Sequence, residues 1–202
     1  MIVNGKRVKK KPLRKETRRK LPLARCRATR LRVVARPGAQ PRDRQQGWLF
    51  LDGRAIPVAL GRAGIRADKR EGDGATPRGV WHPREVRYRA DHGPRPVTGL
   101  PVRRTRPEDG WCDDPGDGRY NRPVRRPFKA SHEEMWRTDG LYDLVIVLDH
   151  NARPRQARRG SAVFLHLARG AFEPTAGCVA FRRTDLRRLL TRMSPRTAIE
   201  VV

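Results

Sequence analysis

Apolar residues in this chain fall into short runs of strand length, broken by Gly, Pro, Asp and Arg, and only one segment has helical spacing. Trp48-Leu49-Phe50-Leu51 and Ala55-Ile56-Pro57-Val58-Ala59-Leu60 flank Asp52-Gly53, a dipeptide suited to a tight hairpin turn. Pro57 points to an edge position or a bulge in the second strand. Before this hairpin, Leu31, Val33 and Val34 mark a first edge strand within Thr29–Arg36, stopped by Pro37 and Gly38. Lys69–Gly79 reads as a Gly- and Pro-rich loop, and Val80–Arg89 as a strand. Residues 91–135 show no clear element, and so long an irregular stretch is expected to form a lid or binding loop. Leu144–Leu148 is continuously apolar and β-branched, the pattern of a buried central strand. Ser161–Leu167, Cys178–Phe181 and Ala198–Val202 supply three more strands. Between the last two, Leu186, Leu189 and Leu190 recur at helical spacing, with Thr184 as the expected cap of a helix running to Met193. The pattern predicts a mainly β domain with a short helix near its C-terminus.

Charge changes this picture at one end. The 202 residues carry a net charge of +26, with 37% hydrophobic and 34% charged residues. The first 44 hold 17 Lys and Arg against only Glu16 and Asp43. Residues 1–30 are therefore expected to be a basic, disordered arm, and residues 31–202 the folded domain. Such an arm attracts polyanions. It has no interleaved aromatics to stack bases, so specific nucleic-acid binding is not expected. The cysteines Cys26, Cys112 and Cys178 are odd in number and match no zinc or CxxC spacing, so neither a metal site nor a disulfide framework is expected. No run approaches the ~20 apolar residues of a membrane span. The only apolar run in the basic region is Leu21-Pro22-Leu23-Ala24, and no secretory signal is recognisable.

Chemistry concentrates near the C-terminus. In Phe164-Leu165-His166 and Thr175-Ala176-Gly177-Cys178, one histidine stands twelve residues ahead of a cysteine in a Thr-x-Gly-Cys turn. A cysteine nucleophile needs a base or cation nearby, and a glycine beside it lets backbone N–H groups approach a reacting carbonyl. These residues point to acyl transfer through a thioester. A buried structural cysteine and an unrelated strand histidine are the competing reading.

A second constellation, Lys69-Arg70-Glu71-Gly72-Asp73-Gly74-Ala75-Thr76-Pro77-Arg78-Gly79, resembles the substrate-side loop of the YkuD-like L,D-transpeptidases. The histidine and cysteine follow in the order of that family, and the resemblance spans Gly47–Val202. It implies a β-sandwich-like catalytic domain with Cys178 as nucleophile and His166 as general base. The Gly177 and Cys178 N–H groups would form the oxyanion hole. Lys69, Gly72, Asp73, Gly74, Thr76, Pro77 and Thr175 would contact substrate. Trp111-Cys112-Asp113-Asp114-Pro115 and Tyr120-Asn121-Arg122 are similar to elements of a subgroup. They mark Trp111 and Tyr120 as walls and Arg122 as a fork for a stem-peptide carboxylate. Where the family often has His before the Gly-Cys pair, Ala176 stands here. Where it often has Arg or Asn soon after the cysteine, Val179-Ala180 follow, which leaves Arg182 as the nearest arginine.

The resemblance further implies a monomeric enzyme without cofactor, in the periplasm or cell wall, acting on peptidoglycan stem peptides. Cleavage would fall after meso-diaminopimelate, releasing D-alanine and passing the acyl group to an amine. A hydrolase on the same substrate, a carboxypeptidase or amidase, is the alternative chemistry. A noncatalytic wall- or polyanion-binding protein is the alternative of another class.

Overall fold

The computed structural model describes residues 28–38 and 40–202. The basic arm expected over residues 1–30 falls, up to residue 27, outside the described residues. Ala28 already belongs to the folded body: it is buried, and its N–H donates to the Arg192 carbonyl at 2.9 Å.

The strands in chain order are β1 (Arg30–Ala35), β2 (Gln46–Leu51), β3 (Arg54–Ala59), β4 (Ile65–Arg66), β5 (Thr76–Pro77), β6 (Gly79–Trp81), β7 (Pro83–Tyr88) and β8 (Val102–Arg104). There follow β9 (Asp109–Cys112), β10 (Arg122–Arg125), β11 (His132–Glu134), β12 (Leu144–Leu148), β13 (Phe164–Leu167), β14 (Val179–Phe181) and β15 (Ala198–Val201). A one-turn helix α1 (Pro41–Arg44) precedes β2, and α2 (Arg183–Arg192) precedes β15. Ten strands form one mixed sheet in the order β6-β15-β1-β2-β3-β14-β13-β12-β7-β8. A small sheet, β10-β9-β11, and the pair β4-β5 stand beside it.

The large sheet curls until its two halves bury one apolar cluster between them. Leu31 and Val33 of β1 and Leu49 of β2 join Ile146 of β12 and Leu165 of β13 there. Leu186, Leu189 and Leu190, the helical stripe of α2, close the cluster. β12 is buried along its whole length because both of its faces are covered, which is why it reads as unbroken apolar sequence. Its other face, Val145 and Val147, meets Phe164, Trp111, Met135 and Tyr142 in a second cluster that includes Cys178.

Several local expectations are corrected. β1 is interior, between β15 and β2, because the C-terminal strand adds to it in parallel. α2 starts at Arg183 with Arg182 as its N-cap, so Thr184 lies inside the first turn with Asp185. Val80–Arg89 is split at His82 into β6 and β7, which belong to different parts of the sheet. The irregular stretch 91–135 contains β8 and the three strands of the small sheet, each of only three or four residues and too short for an alternation to register. Pro57 is accommodated because β14 pairs with β3 only at Ala59, leaving the flank of β3 beside Pro57 outside that ladder.

Candidate active site

The site is built on the parallel pair β13–β14, where Leu165 faces Val179 and His166 faces Ala180. Alternation along the strands then places Phe164, His166, Cys178 and Ala180 on one face. Cys178 sits just before β14, 8% exposed. Its thiol donates to the Ala162 carbonyl at 3.2 Å, and the Phe164 N–H points at its sulfur at 3.4 Å. Burial pushes the thiol up to about 12; the Phe164 N–H opposes this, Glu133 reinforces it, and the Lys69 charge opposes it again. The Ala162 backbone is held at φ +50°, a left-handed conformation unusual for a residue with a side chain.

His166 is 6% exposed, and its Nδ1 lies 2.8 Å from the Leu167 carbonyl. A carbonyl only accepts, so Nδ1 carries the proton and Nε2 keeps its lone pair. Burial lowers the imidazole to about 4. Among the described residues Nε2 has no hydrogen-bond partner, and no hydrogen bond joins His166 to Cys178. The Tyr142 ring meets the imidazole edge-on at 5.3 Å.

The turn that carries Cys178 is fixed from below by the loop at 69–79. Thr175 Oγ1 donates to the Cys178 carbonyl at 2.7 Å and accepts the Gly177 N–H at 3.0 Å. The Gly177 N–H is therefore already engaged, which corrects its expected place in an oxyanion hole. The Cys178 N–H has no such partner among the described residues. Gly177 has φ +141°, and a Cβ there would lie 2.7 Å from the Ala75 carbonyl oxygen, so no side chain fits. Thr76 Oγ1 accepts the Gly61 N–H at 2.8 Å and reaches the Cys178 carbonyl at 3.5 Å.

Above the turn lies a cavity of about 380 Å³. Of the residues expected from sequence, His166, Cys178, Gly177, Thr175, Lys69 and Gly72 line it together. Asp73, Gly74, Thr76 and Pro77 do not; they shape the loop behind it. Asp73 accepts the N–H groups of Arg70 and Ala75, each at 2.8 Å. Trp111 is no wall either. It is buried edge-on against Phe164 at 5.2 Å, one layer beneath the cavity. Tyr120 is buried with its hydroxyl bonded to Glu71, so it positions a cavity residue from outside. Arg122 is exposed on β10, and Arg182 lies over the Phe172 ring at 5.2 Å at the start of α2; neither reaches the cavity.

The arginines that do line it are Arg62, Arg137 and Arg169. Arg137 and Arg169 share the Asp139 carboxylate, at 2.6 and 3.0 Å, and Arg137 also stands 4.0 Å from the Glu133 carboxylate. The hydrogen bond from Arg137 leads in holding Asp139 down to about 2. Glu71, Asp113 and Glu133 supply the opposite sign. Burial pushes the Glu133 carboxyl up, and the neighbouring Asp113 and Glu71 charges add to this. Sequence reading also passed over Asn121, although it singled out both neighbours. Asn121 Oδ1 accepts from Trp111 Nε1 at 3.0 Å and the Ala162 N–H at 3.1 Å, and its amide donates to the His150 and Asn151 carbonyls. The residue ties the small sheet to the carbonyl that holds the thiol. The Tyr120-Asn121-Arg122 element holds the signal, but nothing in it says that the asparagine carries a role. Among the described residues no group of three or more His, Cys, Asp or Glu side chains is placed to hold a metal ion.

A family model of the YkuD L,D-transpeptidase catalytic domain matches residues 39–201. Searches of curated proteins and of solved structures returned no match. The match covers most of the chain, from the residue after Gly38 to the end of β15. The chain belongs to the L,D-transpeptidase catalytic domain family.

Proposed function

We propose that this member of the L,D-transpeptidase family cross-links peptidoglycan through a Cys178 thioester. The observation that carries the reading is the presentation of Cys178 and of an imidazole with a free Nε2 by adjacent strands to one cavity. Both groups are neutral at pH 7, given a thiol near 12 and an imidazole near 4. Attack is therefore general-base assisted rather than the work of a standing thiolate. On substrate entry the thiol turns from the Ala162 carbonyl toward His166 Nε2. The sulfur bonds to the carbonyl carbon of the donor peptide as its proton passes to Nε2. The oxyanion is met by the Cys178 N–H. Collapse breaks the C–N bond, and His166 returns the proton to the leaving D-alanine amine. An acceptor amine then attacks the thioester and restores the thiol.

The cavity carries both signs of charge, which suits a zwitterionic donor. Diaminopimelate offers a carboxylate to Arg137 and Arg169 and an ammonium to Glu71, Asp113 and Glu133. Arg137 and Arg169 would take the part expected of Arg122 or Arg182. The family acts on peptidoglycan and is generally extracytoplasmic, and no helix among the described residues is long and apolar enough to cross a membrane. The basic arm would add charge-driven affinity for an acidic wall. A hydrolase would pass the same thioester to water.

Intact-mass measurement with a carbapenem tests the nucleophile. One adduct is expected on the wild-type chain and on Cys112→Ala, and none on Cys178→Ala; an adduct on that last variant would sink the assignment. Muropeptide products made by the purified protein separate cross-linking from hydrolysis.

A further inference from the structure

Lys69 is a buried cation at the cavity that holds Cys178. Its side chain is only 7% exposed, and burying an ammonium costs several kcal/mol unless it is paired. Two of its three N–H donors are accounted for, by the Asp73 carboxylate and by the Arg70 carbonyl at 2.9 Å. The third has no partner among the described residues. The pair is oriented: Lys69 lines the cavity that holds Cys178, while Asp73 lies behind it, held by the N–H groups of its own loop. Lys69 Nζ also lies 3.5 Å from the point a Cβ on Gly177 would occupy. The missing side chain at 177 thus leaves the ammonium facing the bare backbone of the nucleophile turn. On this chain Ala176 supplies no second imidazole, and it is exposed at the rim.

We propose that Lys69 is the positioning cation of the nucleophile turn: its ammonium, backed by Asp73, stabilises the negative charge that develops at Cys178 during attack. The inference rests on the thioester chemistry proposed above and assigns to Lys69 a role other than holding substrate. Three arginines line the same cavity, but Lys69 is the cation that acts on the thiol, and Arg137 and Arg169 are committed to Asp139; the other groups around the sulfur do not supply this charge. Glu133 opposes it, Tyr142 is neutral with its own ionisation driven well above the ordinary range by burial, and His166 is neutral until it takes the proton.

The test reads the sulfur directly and needs no peptidoglycan substrate. Iodoacetamide alkylation of Cys178 is followed by peptide mass at fixed pH 8 to 9, where the rate tracks the small thiolate fraction. Wild type, Lys69→Met, Lys69→Arg and Asp73→Asn are compared, with carbapenem acylation and melting temperature measured beside it. Lys69→Met should slow alkylation about tenfold, the low end for loss of a nearby opposite charge. Lys69→Arg should recover most of the rate. Asp73→Asn strands the ammonium without the counter-charge its burial requires, so it should slow alkylation as well. The charge itself is read by repeating the measurement with iodoacetate, an anion: the iodoacetate-to-iodoacetamide rate ratio should fall in Lys69→Met and hold in Lys69→Arg. A merely structural ion pair slows both reagents alike; an unchanged ratio, or an unchanged rate, in a folded Lys69→Met overturns the proposal. Should Lys69→Met not fold, Lys69→Gln takes its place, and a ratio equal to that of Lys69→Arg overturns it. Normal alkylation of wild type without any carbapenem adduct would instead count against the thioester function and leave the role of Lys69 standing.

Discussion

The two faces of β12 and β13 are built from the same strands and do opposite things. Leu144, Ile146, Leu148, Leu165 and Leu167 point into the cluster closed by α2, which is apolar throughout. Val145, Val147 and Phe164 point the other way, into a smaller cluster of aromatics and Met135 that also holds Cys178, with His166 beside it. Both faces exclude water. On the first face exclusion yields only stability. On the second it also sets chemistry, because desolvation raises the thiol and lowers the imidazole until neither is charged. On the proposed function, reactivity here is a by-product of packing, directed by a few hydrogen bonds.

This contrast can be broken by substitutions on each face. The largest effect on turnover is expected from His166→Ala, which removes the proposed base and should lower kcat/KM by about 10²–10⁴-fold while the fold persists. The pH profile sharpens this. His166 is available as a base above its folded value near 4, so the acid limb of kcat/KM should fall near 4 rather than at the ordinary 6.5. With the thiol near 12, no rise toward alkaline pH from a titrating thiolate is expected between 6 and 9. An acid limb near 6.5 would mean that the imidazole is hydrated and that the two faces do not differ in the way described.

On the core face, Leu165→Ala should cost about 2–5 kcal/mol of stability, the usual range for a fully buried leucine. Denaturant titration measures it. Carbapenem acylation, measured well below the melting transition, should change little even though Leu165 is next to His166 in sequence. A large loss of acylation in the folded variant would show that the faces are not separable.

How far the sequence disclosed each face follows from the same difference. Leu144–Leu148 was legible as an unbroken apolar run and the α2 stripe by its helical period. Cys178, His166 and the glycine loop were legible as a constellation in a fixed order. The donors and acceptors that aim them were not. Arg122 and Arg182 looked suitable by proximity in sequence, but β10 faces solvent where Arg122 stands, and α2 begins at Arg182 with that side chain over Phe172. Arg137 and Arg169 reach the cavity from loops that flank β12 and β13, a placement set by long-range pairing that no local pattern encodes. β1 was misplaced at an edge for the same reason, since its neighbour β15 lies at the far end of the chain.

The finest probe of the comparison is Asn121, which belongs to neither face and holds one in register. Its Oδ1 is shared by Trp111 Nε1 and the Ala162 N–H, and Ala162 in turn offers the carbonyl to which Cys178 donates. Removing the amide leaves those two donors without their acceptor, at about 1–3 kcal/mol in stability if they stay buried and unpaired. It also frees a left-handed alanine whose conformation its surroundings impose. Asn121→Ala should therefore lower both stability and acylation modestly: less stability than Leu165→Ala, less activity than His166→Ala, and on the order of tenfold in the acylation rate. Asn121→Asp keeps an acceptor at Oδ1 and should recover the acylation rate more than the stability. If Asn121→Ala changes stability alone, the thiol does not depend on the Ala162 carbonyl for its orientation, and aromatic packing around Phe164 suffices to aim it.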